Sequence, residues 1–173
     1  KQYDALVDEI VKKIKETQQS QIPVEASGRH VHLSRAHVDQ LFGEGYQLTE
    51  AKKLSQPGQF ACKERVTIAG PKGMFQNVVI LGPERNESHV EVSLTDARIL
   101  GIDTPIRESG MIEQTPGITV LNGDQVVQLT KGLIVAKRHI HMTPEDAKKQ
   151  QVSNKEIVKV RINSERSLIF DDV

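Results

Sequence analysis

Two short stretches concentrate the histidines of this chain. Residues 29–32 and residues 138–141 each read arginine, histidine, aliphatic residue, histidine, and together they hold four of the six histidines. Side chains two residues apart in a strand point to the same face. Imidazole nitrogen is a common ligand for zinc and similar metals. The spacing therefore predicts two metal-ligand pairs, His30 with His32 and His139 with His141.

The similarity between the two stretches extends beyond the histidines. A hydroxyl residue follows each of them, Ser34 in the first copy and Thr143 in the second, where a helix N-cap is expected. A matched pair at this separation indicates a duplicated unit of domain size. We predict an amphipathic helix with its tether over residues 1–21, a first His-x-His unit over 22–117, and a second over 118–173. Strand exchange between the two units is left open.

Many short apolar stretches separated by glycine and proline turns predict a mainly β fold with short helices. The duplication arranges these strands as two β-barrel domains. Three hairpins are expected, the second across an Asn-Gly turn. The expected elements are hairpins of 65–69 with 74–81, of 118–121 with 125–129 and of 156–162 with 167–170, helices at 34–42 and 95–100, a helical turn at 49–54, and strands at 22–24, 89–93 and 133–136.

The N-terminal segment has apolar residues at helical spacing and lysines mostly on the other face. Its apolar positions are Tyr3, Leu6, Val7, Ile10, Val11 and Ile14. Such a helix either caps the core or docks to a partner surface. The sequence leaves both interpretations open.

Composition limits the classes of partner. The net charge is zero and aromatic residues make up 3% of the chain, which argues against nucleic-acid binding. No apolar run is long enough to span a membrane, and no signal peptide is visible. The single cysteine, Cys62, excludes an intrachain disulfide and suits a reducing, cytoplasmic compartment. We interpret it as a small buried or half-buried side chain.

One further strand carries polar residues that could join the first histidine pair. His89, Glu91 and Ser93 alternate with valines and so share one face. They could complete a metal site, although a solvent-facing polar face would have the same pattern. His89 and His37, taken alone, are typical of core or surface histidines. The second unit stops before the counterpart of this strand, so we expect about 12 or more further residues in the natural chain, with a third ligand for the second site.

Several motifs together resemble the PduL-type phosphate propanoyltransferases, the phosphotransacylases of bacterial microcompartments and of some free cytosolic pathways. They are Arg-His-x-His-Leu-Ser at 29–34, Gln-Pro-Gly-Gln at 56–59, Gly-Pro-Lys-Gly at 70–73, Leu-Gly-Pro at 81–83, Thr-Asp-Ala-Arg at 95–98, Thr-Pro-Gly at 115–117 and Ala-Lys-Arg-His-Ile-His-Met at 136–142. The resemblance implies two β-barrel domains, two zinc ions, and the reaction of acyl-CoA with phosphate to give acyl phosphate and CoA.

The resemblance also implies roles for particular residues. The first zinc is expected on His30, His32 and Glu91. The second is expected on His139, His141 and a later histidine beyond Val173. The remaining roles are phosphate binding and catalysis by Arg85, weaker phosphate contacts from Arg107 and Ser109, and CoA contacts from Ser27, Lys52 and Leu81. The N-terminal helix resembles peptides that direct such enzymes into a microcompartment, with shell or core proteins as partners, and a homo-oligomer is left open.

Two other functions are compatible with the residues alone. A cupin-like β-barrel could use His30, His32 and Glu91 to hold a metal for oxygen chemistry. A non-catalytic scaffold could use closed metal sites for structure only. Dependence of activity on CoA and phosphate separates the transferase from both.

Overall fold

The computed structural model describes residues 2–19 and 22–173. These residues are mostly β, with short helices apart from the first. In chain order the elements are α1 (Gln2–Gln19), β1 (His30–His32), α2 (Arg35–Phe42), β2 (Glu50–Lys53), β3 (Phe60–Ala69), β4 (Met74–Gly82), β5 (His89–Val92), α3 (Leu94–Leu100), β6 (Ile106–Arg107), β7 (Ile118–Asn122), β8 (Gln125–Leu129), β9 (Leu133–Ala136), α4 (Pro144–Gln150), β10 (Val160–Ile162) and β11 (Leu168–Phe170).

The chain divides into two compact units. One is Ser27–His139, and the other combines Lys1–Ala26 with Ile140–Val173. The mainly β character is confirmed. The two-barrel arrangement and the domain boundaries at 21 and 117 stay predictions.

A single curled sheet of nine strands forms the unit Ser27–His139. The strands follow the order β6-β9-β5-β1-β4-β3-β7-β8, and β2 pairs with β3 beside this path. The three-residue strand β1 lies in the middle, parallel to β4 and antiparallel to β5. Strands from both sides of residue 117 thus share one sheet, because β9 pairs with β5 and β7 pairs with β3.

Alternation along the central strands separates two faces of this sheet. Val31, Ile80 and Val90 are fully buried in the hydrophobic core. Their neighbours along the strands, including His30, His32 and Glu91, point to the other face by the two-residue period. Cys62 is also in the core and fully buried, as predicted. The core therefore fixes the strands whose opposite faces carry the polar residues.

Two predicted elements are wrong. Residues 49–54 were expected to form a helical turn, but Glu50–Lys53 is strand β2, paired with β3. The helix-favouring residues Glu, Ala and Lys are overridden there because the edge of the long strand β3 offers backbone partners, such as the Lys63 N–H that donates to the Thr49 carbonyl at 2.8 Å. The strand expected at 22–24 is irregular.

The local signals at turns and caps are confirmed. Ser34 caps α2 and accepts a hydrogen bond from the His37 N–H. All three predicted hairpins form, as β3–β4, β7–β8 and β10–β11. The helix predicted from 95 begins at Leu94, with a reciprocal capping box between Ser93 and Asp96.

The second compact unit contains α1, α4 and a two-stranded hairpin. Thr143 caps α4, as the sequence predicts, and Pro144 occupies its first turn. Strands β10 and β11 pair antiparallel. The described apolar side chains of α1, from Tyr3 to Val11, are exposed, whereas the Ile14 side chain and the tether residues 20 and 21 lie outside the described residues. None of the described helices combines the length and the apolar character needed to cross a membrane.

Candidate metal centre

Strand pairing brings the first histidine pair and Glu91 together. His30 stands opposite Glu91, and His32 stands opposite His89, in the antiparallel pair β1–β5. Directly opposed residues place their side chains on the same face. One potential ligand atom from each of His30, His32 and Glu91 lies within 4.8 Å of the other two. All three residues are buried, so the cluster is a built site rather than an exposed acidic patch.

A backbone contact fixes the proton position on His30. Its Nδ1 lies 2.9 Å from the carbonyl oxygen of Gly28. A carbonyl oxygen only accepts, so Nδ1 carries the hydrogen and Nε2 of the neutral ring offers its lone pair. Nε2 lies 3.4 Å from Glu91 Oε2. A histidine whose Nδ1–H donates to a backbone carbonyl, so that Nε2 is available as a ligand, is typical of metal sites.

The electrostatics of the cluster favour a cation. Burial alone would raise the pKa of Glu91, but its contacts with His30, His89 and Ser109 outweigh burial and hold that pKa far below its usual range. Burial lowers the pKa of His32 to about 3, and His89 and His30 act in the same direction. At neutral pH the site therefore presents an ionised carboxylate beside the neutral imidazole of His32, the states that bind metals. Burial alone would lower the pKa of His30, but its contact with the Glu91 carboxylate outweighs burial and raises that pKa.

Several buried polar atoms at the site have no hydrogen-bond partner among the described residues. They are His32 Nδ1, His89 Nε2 and Arg85 Nε. Unpartnered buried polar groups are rare in folded proteins, and these atoms are available to bind an ion or ligand. The donor set of two imidazoles and one carboxylate suits a cation such as zinc, with one position left for a further ligand. The residues present therefore fit a metal ion.

Arg29, the first residue of the motif, anchors the start of β1. Its Nη2 donates to Asp96 Oδ1 at 2.8 Å, and its guanidinium lies 4.1 Å from the centre of the Phe75 ring. Asp96 belongs to the capping box of α3. The ion pair thus ties the residue before His30 to a helix that begins just after β5.

Arg85 lies in the loop between β4 and β5, beside the histidine pair. Its N–H donates to the Leu33 carbonyl at 2.8 Å, and its positive charge contributes to the lowered pKa of His32. The adjacent Glu84 is held by an ion pair to Arg35 at 2.8 Å. The loop therefore brings a positive charge close enough to His32 to help lower its pKa.

Of the other predicted site residues, Ser27 and Ser109 lie beside Glu91, and Lys52, Leu81 and Arg107 are described by contacts with other strands and loops. Ser27 and Gly28 line a cavity of about 390 Å³ together with Glu91. The hydroxyl of Ser109 donates to Glu91 Oε1 at 2.5 Å. Lys52 and Leu81 both pair with Ala61, from opposite sides of β3. The exposed Arg107 donates to the carbonyl of Ile106.

The second histidine pair has one feature in common with the first. His139 Nδ1 lies 2.7 Å from the carbonyl oxygen of Lys137, two residues earlier. This repeats the contact between His30 and Gly28. His139 and His141 are exposed, and within the described ranges no third histidine, cysteine or acidic residue gathers with them.

His89 is the residue that sequence reasoning undervalued. Its ring stacks on His32 with centroids 4.5 Å apart, and its Nε2 lies 3.4 Å from Glu91 Oε1. The available signal was the alternation that puts His89 and Glu91 on one face. The partner strand β1 could not be identified from that pattern alone.

Fold and site together define a β-rich protein with a buried cluster of two histidines and one carboxylate that could hold a metal ion. The family model for phosphate propanoyltransferase matches residues 23–173. The phosphate propanoyltransferase of Enterococcus faecalis is 68% identical over 168 residues, which are 97% of this chain and 80% of that protein. Those of Clostridioides difficile and Thermotoga maritima are 58% and 52% identical, covering 97% of this chain in each case and 79% and 83% of the relatives. The chain belongs to the phosphate propanoyltransferase family, a family of phosphotransacylase enzymes.

Proposed function

We propose that this chain is a zinc-dependent phosphate acyltransferase that interconverts acyl-CoA plus phosphate with acyl phosphate plus CoA. The acyl group is propanoyl or acetyl. The observation that carries the proposal is the buried cluster of His30, His32 and Glu91 with Arg85 beside it, in a chain of this family. Family membership favours this function over the cupin-like oxygenase and the scaffold.

The residues of the cluster have separate roles in this proposal. His30, His32 and Glu91 would hold zinc, which when bound supplies Lewis acidity to a thioester carbonyl, a phosphate or a leaving thiolate. The Gly28 carbonyl keeps the His30 lone pair on Nε2. The depressed pKa of Glu91 keeps its carboxylate ionised across the physiological range.

Arg85 is proposed to bind the attacking phosphate. A guanidinium can donate two parallel hydrogen bonds to phosphate oxygens and offset their charge. A phosphate oxygen attacks the thioester carbonyl carbon, the carbon–sulfur bond breaks, and CoA leaves as the thiolate. Arg85 supports the attack by orienting phosphate next to the cluster. Arg107, exposed on β6, is proposed as a weaker phosphate contact.

CoA is proposed to approach along the sheet face that carries the cluster. Extending the β1–β4 pairing by one residue puts Leu81 beside His32, and Leu81 lies in register with Ala61 and Lys52 across β3 and β2. The ammonium group of Lys52 suits the phosphates of CoA. The cavity that joins Ser27 to Glu91 offers room beside the cluster.

His139 and His141 are proposed to hold a second zinc ion. The contact from His139 to Lys137 repeats that of His30 and supports the same use of the motif.

The exposed apolar residues of α1 support a proposal that this helix docks to shell or core proteins of a microcompartment. Deleting residues 1–21 should then abolish co-purification with shells and leave phosphate-dependent activity intact.

The proposal is tested by phosphate-dependent release of free thiol from propanoyl-CoA, with and without a chelator. Release should require phosphate, stop with chelator and return with added zinc. Arg85→Met should raise the KM for phosphate by tenfold or more, whereas Arg98→Met, a matched exposed arginine on α3, should leave it unchanged. Release that ignores phosphate or survives metal removal would contradict the proposal.

A further inference from the structure

The two oxygens of the Glu91 carboxylate have different surroundings. Oε2 faces His30 Nε2 at 3.4 Å. Oε1 accepts a hydrogen bond from Ser109 Oγ at 2.5 Å and lies 3.4 Å from His89 Nε2. The carboxylate is only 4% exposed, so these contacts define its orientation.

The backbone around Ser109 fixes where its hydroxyl points. Strand β6 ends at Arg107, whose carbonyl accepts from the Lys137 N–H at 2.8 Å. The chain then turns, with the Met111 N–H donating to the Glu108 carbonyl at 3.0 Å and Gly110 at a φ of 83°. The turn delivers Ser109 to Glu91 from outside the β1–β5 pair. A hydroxyl-to-carboxylate bond of this length is among the strong hydrogen bonds of proteins.

We propose that Ser109 is a positioning residue that occupies one oxygen of Glu91 and so makes Glu91 a single-oxygen metal ligand. This inference rests on the proposed metal function of the cluster. A carboxylate that binds through one oxygen leaves room for a four-coordinate ion with an open position, whereas a two-oxygen carboxylate fills that position. Ser109 thereby acts on the metal through Glu91. In this inference the Ser109 hydroxyl donates its hydrogen bond to Glu91 instead of to phosphate, the contact that the family resemblance implies.

The test uses cobalt(II) in place of zinc, because its visible spectrum reports the coordination number. Wild-type protein should give the intense bands of four-coordinate cobalt. Ser109→Ala should weaken these bands and lower zinc affinity about tenfold, the usual lower effect of removing a hydrogen bond to a ligand. Ser109→Thr, which keeps a hydroxyl, should restore both. Ser55→Ala, at an exposed turn, is the matched control and should resemble wild type.

The outcomes separate this inference from the proposed function. If wild-type protein binds neither cobalt nor zinc, the metal function fails and this inference fails with it. If wild-type protein binds cobalt and Ser109→Ala has the same spectrum and affinity, Ser109 has no positioning role and the metal function stands. A higher KM for phosphate in Ser109→Ala with an unchanged cobalt spectrum would instead make Ser109 a phosphate contact and overturn the inference.

Discussion

The ion pair between Arg29 and Asp96 leads to an asymmetric prediction. The Asp96 side chain is 7% exposed, whereas that of Arg29 is 41% exposed. Arg29→Met leaves a buried carboxylate without its cation and also removes the guanidinium from the Phe75 ring. Asp96→Asn leaves a guanidinium that can turn to water. We therefore expect the more exposed partner to be the costlier one to remove.

The expected magnitudes follow from these exposures. A buried charged group without its partner costs about 1–3 kcal/mol, and the cation–π contact about 0.5–1 kcal/mol at such a site. Arg29→Met should thus lower the free energy of unfolding by about 2–3 kcal/mol. Asp96→Asn should lower it by about 1 kcal/mol, since the pair is partly screened by solvent.

Tyrosine fluorescence can measure the urea unfolding of one compact unit of the chain separately from the other. The protein has no tryptophan and two tyrosines, Tyr3 and Tyr46. In a Tyr3→Phe background, tyrosine fluorescence reports Tyr46 within the unit Ser27–His139. All variants are compared at one fixed zinc concentration, because bound metal adds stability. Arg98→Met, at an exposed position of α3 in the same unit, is the control and should change stability by less than about 0.5 kcal/mol.

The pH dependence gives a second check on the same pair. Burial alone would raise the pKa of Asp96, but the hydrogen bonds from Arg29 and Ser93 outweigh burial and lower it. A lowered folded-state pKa adds stability that is complete above the unfolded-state value and is lost as the pH falls through the folded-state value. The deficit of Arg29→Met should therefore shrink below about pH 4. Equal costs for the two variants, or a deficit that grows in acid, would refute the reasoning.

Three further predictions concern other parts of the same unit. Cys62 is fully buried and its pKa is raised to about 11, chiefly by burial. A thiol reagent should therefore modify it only in denaturant, and rapid labelling of the native protein would contradict this. Gly132 has a φ of +113°, and an added Cβ would lie 2.8 Å from the Ser88 carbonyl oxygen. Gly132→Ala should therefore lower the free energy of unfolding in urea by about 2 kcal/mol or more, and it should weaken zinc binding because β5 shifts. An unchanged unfolding midpoint would count against this prediction. Ile80→Ala, at a fully buried core position, should cost about 2–5 kcal/mol, measured in the same way, and a loss below 1 kcal/mol would show that the site repacks.

The parts of the fold and site that the sequence predicts are those set by residues close together in the chain. The pairing of His30 with His32 follows from the two-residue period of a strand. The caps at Ser34 and Thr143 follow from hydroxyl side chains that satisfy the first N–H groups of a helix. Both kinds of signal involve residues only a few positions apart.

The parts that needed tertiary structure involve pairing across long separations. Local patterns left the role of Glu91 open and only the family resemblance assigned it, because β5 pairs with β1, about sixty positions earlier in the chain, in a register that no local pattern specifies. The bond from Ser109 to Glu91 depends on a loop anchored by β9. Strand β2 was mistaken for a helical turn because β3 supplies partners that propensity does not include.

The acceptor for His30 is a main-chain carbonyl, and so is the acceptor for His139. The residues that supply these carbonyls, Gly28 and Lys137, share no side-chain chemistry. A substitution at either position changes a side chain but leaves the carbonyl in place. The proton position on the first histidine of each motif is therefore protected from side-chain changes at these two positions, and evolution can vary the residue two places before the histidine without altering which ring nitrogen is available.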